Sequence, residues 1–297
     1  MTSVARTALL VSLAFTVQLL VVEAATDRPK GNFRQCLEIS PGCPVEATLY
    51  GYYPNMGANA FLTALFGVCC IATIVIGIMT KTWTYTLALG IGTFLEAAGY
   101  VGRVIMHSNP WSESGFKLQI CCLVLGPSFV AAAIYLTLKH FVLYCGPQHS
   151  LIKARLYPWI FIGCDFGSIV LQACGGGMAA AGGTTNKKLI DGGNNLIVAG
   201  IAFQVVTMTV CGFLVLVYIW RYRKARSTRS ELNEKSNYEL DKEQGARLGK
   251  VKLFGWIVVL AYTTVLIRCI YRLPEMAGGW GNALMRNEKE FLLLDGM

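Results

Sequence analysis

GTFLEAAGYVGRVI, residues 92–105, is the stretch whose reading decides the fold. Small and apolar side chains dominate it, as they would in a helix surrounded by lipid, yet it carries a carboxylate at Glu96 and a guanidinium at Arg103. A charge at mid-bilayer costs roughly 2.5–3.5 kcal/mol on insertion scales, so charges in such a stretch need partners or a task. Their spacing puts both groups on one helical face, about 10.5 Å apart along the axis. They are too far apart to pair with each other, so their partners must come from other helices or from water.

The remainder of the chain fits that picture. Across 297 residues, 54% are hydrophobic and 14% charged, with a mean hydropathy of +0.50, which excludes an ordinary soluble domain. Six apolar segments, near 57–80, 83–106, 118–142, 158–182, 196–220 and 253–274, are each long enough to cross a bilayer. Short links make neighbours antiparallel. The expected fold class is all-α, a polytopic transmembrane helix bundle with six spans.

Residues 1–25 hold Arg6, an apolar run from Thr7 to Val22, and then EAAT, the pattern of a secretory signal peptide. Its apolar core is shorter than the ~20 residues a spanning helix needs. Residues 26–56 are then delivered outside, 57–274 form the bundle, and 275–297 follow the sixth span on the outer side. In that orientation the inner segments (Lys81, 143–157 and the basic loop 221–252) carry 13 Lys and Arg, against 8 in the longer outer segments. Positive charge favours the cytoplasmic side, so the count supports an extracellular N-terminus.

The net charge of +9 comes without any aromatic–basic platform for bases, so nucleic acid is not an expected partner. The block RYRKARSTR, 221–229, suits the anionic headgroups of membrane lipids instead. Of 11 cysteines, Cys36 and Cys43 stand apart in the polar segment RQCLEISPGCP, 34–44, and are the candidate disulfide of a translocated segment. Most others lie in apolar runs, where a thiol behaves as a small hydrophobe.

Catalytic patterns are lacking. His107, His140 and His149 are too scattered for HExxH, no CxxC pair occurs, and neither a GxSxG elbow nor a Walker motif is present. GGGMAA, 175–180, fits GxGxxA only inside a span, and with GCDFG, 163–167, it reads as a surface for close helix packing. No catalytic residue, metal ligand or cofactor is expected, and the chain is not expected to be an enzyme. Pro127, in LGPSF, removes one backbone hydrogen bond from the third span.

The informative residues are the polar ones inside the spans: Glu96, Arg103, Gln119, Asp165, Gln172, Gln204, Arg268 and Arg272. Asp165 and Gln172 share a helical face as Glu96 and Arg103 do, and together the set forms a polar column through the bundle. Two readings stay open: interhelical salt bridges that fix helix order, or a pathway for a polar or charged group. The expected partner of Glu96 is Arg268 on the sixth span. Arg272 is expected one turn further out, near the level of Arg103 and near Glu275 or Glu288.

YGYYPNMGAN (50–59), FLEAAGYVGR (94–103), QICCLVLGPSFVAAAIY (119–135), DFGSIVLQACGGG (165–177) and IRCIYRLPEMAGG (267–279) occur in one order along the chain. In these motifs, over roughly residues 45–297, the sequence resembles the fungal lipid-translocating exporter family, which includes sphingoid long-chain-base exporters and 7-aminocholesterol-resistance proteins. The resemblance implies plasma-membrane proteins with an outside N-terminus, export or flipping of sphingoid bases or other amphipathic small molecules, and resistance to toxic amphipathic amines. Its characteristic polar positions fall here on Glu96, Tyr100, Arg103, Gln119, Pro127, Tyr135, Asp165, Gln172, Arg268, Arg272 and Glu275. It also implies a seventh span after EKEFLLLDGM, 288–297, which these residues do not contain. The other function the sequence fits is a seven-span, receptor-like sensor or stress-response regulator in which buried charges only hold the bundle together.

Overall fold

The computed structural model describes residues 36, 39–41, 43–145, 156–181, 186–232, 240–278 and 284–296. The chain builds seven helices there: α1 (Met56–Thr80), α2 (Trp83–Ser108), α3 (Glu113–Cys145), α4 (Leu156–Ala181), α5 (Lys187–Leu232), α6 (Leu240–Ala277) and the short α7 (Glu288–Leu294). The first six are long and apolar enough to cross a membrane. A bilayer offers no water to backbone groups, so a spanning segment must satisfy its own N–H and C=O groups, and a helix does so. The signal peptide expected over 1–25 lies outside the described residues.

Local chemistry sets the first turn of the bundle. The Asn55 side chain accepts from the Ala58 N–H at 3.1 Å and caps α1. Lys81 closes the same helix at φ 56°, in the left-handed region, and its N–H donates back to the last turn. That single residue reverses the chain into α2. The bundle has a near end, where α1 begins, and a far end, at Lys81.

Helix ends depart from the apolar segments in a regular way. The spans expected at 57–80, 83–106 and 158–182 agree with their helices to within a couple of residues. Those expected at 118–142, 196–220 and 253–274 are extended, to Glu113–Cys145, Lys187–Leu232 and Leu240–Ala277. Hydropathy marks the lipid-facing part, whereas backbone hydrogen bonding continues through polar residues. Much of the basic stretch 221–252 is therefore continued helix. Beyond α6, the described residues 284–296 return to the bundle: Phe291 on α7 is buried with Tyr100 and Leu123 and packs against Leu62 and Phe66.

Antiparallel neighbours touch most closely through glycine. On α2 and α3 a Cβ at Gly102 would sit 2.7 Å from the Gly115 carbonyl, and on α4 and α5 one at Gly175 would sit 2.6 Å from that of Gly193. The GxxxG expected to mediate packing, Gly163 and Gly167, does not: Gly163 faces open space and Gly167 has only Phe203 at 4.0 Å. Gly176 and Gly177 face open space as well. The packed face of α4 runs through Asp165, Ser168, Gln172 and Gly175, each three or four residues after the last, and Gly163 falls on another side.

Large apolar side chains that no protein covers, among them Phe61, Val68, Ile71, Trp159, Phe166 and Phe213, form the surface that lipid would meet. Inside, one apolar cluster fills the far half around Tyr135, Phe161, Met208 and Cys211, and another fills the near half around Tyr50, Met106, Ile201 and Met276. Ahead of α1, Cys36 and Cys43 are joined with their Cα atoms 5.8 Å apart. A short 3-10 turn, Val45–Ala47, leads on to Tyr50 and Tyr52.

Candidate functional site

Three consecutive residues on α3 shape the interior, each by a different means. A Cβ at Gly126 would lie 2.4 Å from Glu96 Oε1, so the missing side chain makes room for that carboxylate. Pro127 has no N–H, which leaves the carbonyl four residues earlier without its helical donor. Arg268 Nη2 donates to that carbonyl, Leu123 O, at 3.4 Å. Ser128 Oγ accepts from Gln204 Nε2 at 2.8 Å. One turn of α3 thus addresses α2, α6 and α5.

The first of two polar centres is rich in arginine and lies toward the near half. Arg268 Nη2 donates to Glu96 Oε2 at 2.7 Å, and its Nε to Asp295 Oδ1 at 3.0 Å. Arg272 reaches the same Asp295 Oδ1 through Nη2 at 2.7 Å, and its Nη1 lies 3.2 Å from Glu275 Oε2. Arg103, fully buried, donates from Nε to Asn59 Oδ1 at 2.9 Å and from Nη2 to Tyr52 Oη at 3.1 Å and Glu288 Oε1 at 3.2 Å. The Phe291 ring lies 4.1 Å under its guanidinium carbon, a cation–π contact.

Each arginine in this centre has carboxylate company, and each acid has an arginine. That balance is what keeps buried charge tolerable. Tyr50 closes the near side by accepting from Gln119 Nε2 at 2.9 Å. Burial pushes the Tyr50 and Tyr52 hydroxyls up, with nearby Arg103 pulling them down, so both stay neutral hydrogen-bonding groups at ordinary pH.

The second centre is deeper toward the far half and differs in kind. Gln172 Nε2 donates to Gln204 Oε1 at 3.4 Å, extending the Ser128–Gln204 bond across α3, α4 and α5. Asp165, 2% exposed, has no hydrogen-bond partner for either carboxylate oxygen. Tyr135 stands beside it without completing a normal hydrogen bond, and the hydroxyl of Tyr135 and Oε1 of Gln172 are unsatisfied too. No ion pair among the described residues includes Asp165.

The expected polar residues therefore separate into two groups. Glu96, Arg103, Gln119, Arg268 and Arg272 belong to the first centre, and Tyr135, Asp165, Gln172 and Gln204 to the second. Arg268 is the partner expected for Glu96, whereas Glu288 goes to Arg103 and not to Arg272. The sequence gives no reason to expect Asp295, which joins Arg268 and Arg272, to be buried, and it does not single out Asn59 or Ser128. For Asp295 the only sequence signal is a lone acid after three leucines. Asn59 sits in a motif whose role no pattern reveals. No group of three or more His, Cys, Asp or Glu among the described residues could hold a metal ion.

The family described as "RTA1 like protein" matches residues 89–297. The chain is 30% identical over 292 residues to a Saccharomyces cerevisiae protein named "Sphingoid long-chain base transporter RSB1", covering 92% of this chain and 75% of that one. It is 22% identical to "Protein RTA1" of the same species, over 84% of this chain and 80% of the relative. "Protoporphyrin uptake protein 1", also from that yeast, is 38% identical over 88 residues, 29% of this chain and 28% of the relative. No solved structure matches the chain.

Proposed function

The chain belongs to the RTA1-like family, and on that premise we propose that it moves amphipathic amine lipids, sphingoid long-chain bases among them, from one leaflet of the membrane to the other. The observation that carries this reading is the set of polar and charged side chains buried inside a bundle of six membrane-length helices. A long-chain amine divides in two: its tail stays in hydrocarbon, while its cationic head needs polar company to cross. The apolar outer faces of α1–α6 would meet the tail, and the interior polar residues would lower the barrier for the head. Carried further, the proposal places the protein in the plasma membrane with its N-terminus outside, and has it confer tolerance to toxic amphipathic amines.

The test is direct. Purified protein in liposomes should speed the crossing of a fluorescent sphingoid base between leaflets, relative to protein-free liposomes. Equal rates with and without protein would sink the transport reading and favour a sensor whose charges only hold the bundle.

A further inference from the structure

The two polar centres differ in one respect that assigns them different work. In the arginine centre every carboxylate already has a cation: Glu96 has Arg268, Glu275 has Arg272, Glu288 has Arg103, and Asp295 has two. In the second centre the bookkeeping is open, with a buried aspartate facing no cation among the described residues. The titratable groups in electrostatic reach of Asp165 are Tyr135, Cys211, Tyr262 and Cys269, none of which carries positive charge. An isolated carboxylate in an apolar interior is expensive unless a cation or hydrogen-bond donors reach it.

Resting on the transport reading, we propose that Asp165 with Tyr135 is the site that receives the ammonium head of the lipid amine, and that Glu96 is not. A primary ammonium brings donors only, and the vacant groups around it here can accept: both Asp165 oxygens and the Tyr135 hydroxyl. The Asp165 pair stands in the far half of the bundle. Gln172 follows two turns along α4 toward the near end, about 10.5 Å away, where its bond to Gln204 offers amide groups suited to the hydroxyls of an amino-diol head. Phe161, packed against Tyr135 with ring centroids 5.5 Å apart, fixes the phenol beside the carboxylate. The site is thus an acid with a hydroxyl neighbour, followed by an amide step, all within one membrane-length bundle.

Full-length chain in nanodiscs of zwitterionic lipid tests this by equilibrium binding, with empty nanodiscs as the blank for membrane partitioning. The probes are a fluorescent long-chain amino-diol and its N-acetylated form, which lacks the charge. A charge-assisted hydrogen bond predicts that wild type prefers the amine by roughly ten- to a hundredfold. Asp165→Asn should reduce the amine to the level of the N-acetylated form, and Tyr135→Phe should cause a smaller loss. Because Asp165 has no ion pair among the described residues to lose, and an asparagine keeps an acceptor beside Tyr135, Asp165→Asn should melt no lower than wild type. Should that variant fail to fold, a wild type that shows no preference for amine over N-acetylated lipid still overturns the assignment, and loss of that preference in Tyr135→Phe supports it.

Equal affinity for the two lipids, or unchanged amine binding in Asp165→Asn, overturns the assignment. Flipping in liposomes separates the two claims. Normal flipping by Asp165→Asn would refute this site and leave the transport reading standing. Asp165-dependent binding with no flipping by wild type would support the site and refute transport.

Discussion

Glu96 and Arg103 share a helical face yet answer to different partners, and the chemistry of each follows from what lies opposite. Glu96 meets Arg268, while Arg103 meets Asn59, Tyr52 and Glu288. Glu96→Gln leaves Arg268 with Asp295, so the expected cost is about 1–3 kcal/mol, the worth of one hydrogen bond to a charged group. Asp295→Ala removes the acid shared by two arginines and should cost more, about 3–5 kcal/mol. Melting of the two variants in nanodiscs checks the order, and a smaller loss in Asp295→Ala would remove Asp295 from its central place. Combining Glu96→Arg with Arg268→Glu should not restore stability, because Glu at 268 would face Asp295. Glu96–Arg268 is legible in the sequence because the apolar spans hold only two acids and three arginines, and Arg268 is the arginine of the sixth span nearest the depth of Glu96. Asp295 stayed hidden because nothing in LLLDG distinguishes an exposed acid from one folded back between helices.

At the scale of single elements, spacing was informative about faces and poor about which face meets protein. The seven-residue spacing puts Asp165 and Gln172 on one side of α4, as observed, because helical periodicity is intrinsic. Gly163 and Gly167 form an equally regular pattern, but on a side without a close helix neighbour. Small residues permit close approach without compelling it, and the buried polar groups decide which way α4 turns. Substitution separates the cases. Gly126→Ala would drive a methyl into the Glu96 carboxylate, which Arg268 holds in place, and overpacking of that kind costs about 1–3 kcal/mol. Gly163→Ala meets no atom within 4 Å and should leave the melting temperature unchanged or slightly raised, since alanine favours helix. A large loss in Gly163→Ala would mean that this face does pack, against a partner outside the chain.

For the whole molecule, the number of spans was legible because hydropathy averages over ~20 residues and tolerates local surprises. The return of residues 284–296 into the bundle was not, since α7 has only seven residues and three of its leucines are no longer run than many surface helices carry. Orientation is a further whole-molecule property, set by where lysine and arginine accumulate. Basic residues crowd the far end at Arg221, Arg223 and Lys224 and continue into the stretch up to residue 252, whereas the near-end turn at 109–112 has none. The joined Cys36 and Cys43 lie in the segment that leads to the near end, and disulfides persist in oxidising compartments. Both features predict a near end that faces outward. An epitope inserted at 109–112 should bind antibody on intact cells, and one inserted at 233–239 only after permeabilisation. Mass spectrometry without reduction should find Cys36 and Cys43 linked in the same cells. The two measurements are independent, because charge acts on insertion and oxidation acts afterwards on the segment already delivered. Protected epitope at 109–112 together with two alkylated thiols would reverse the orientation, and with it the side from which a lipid amine first meets Asp165.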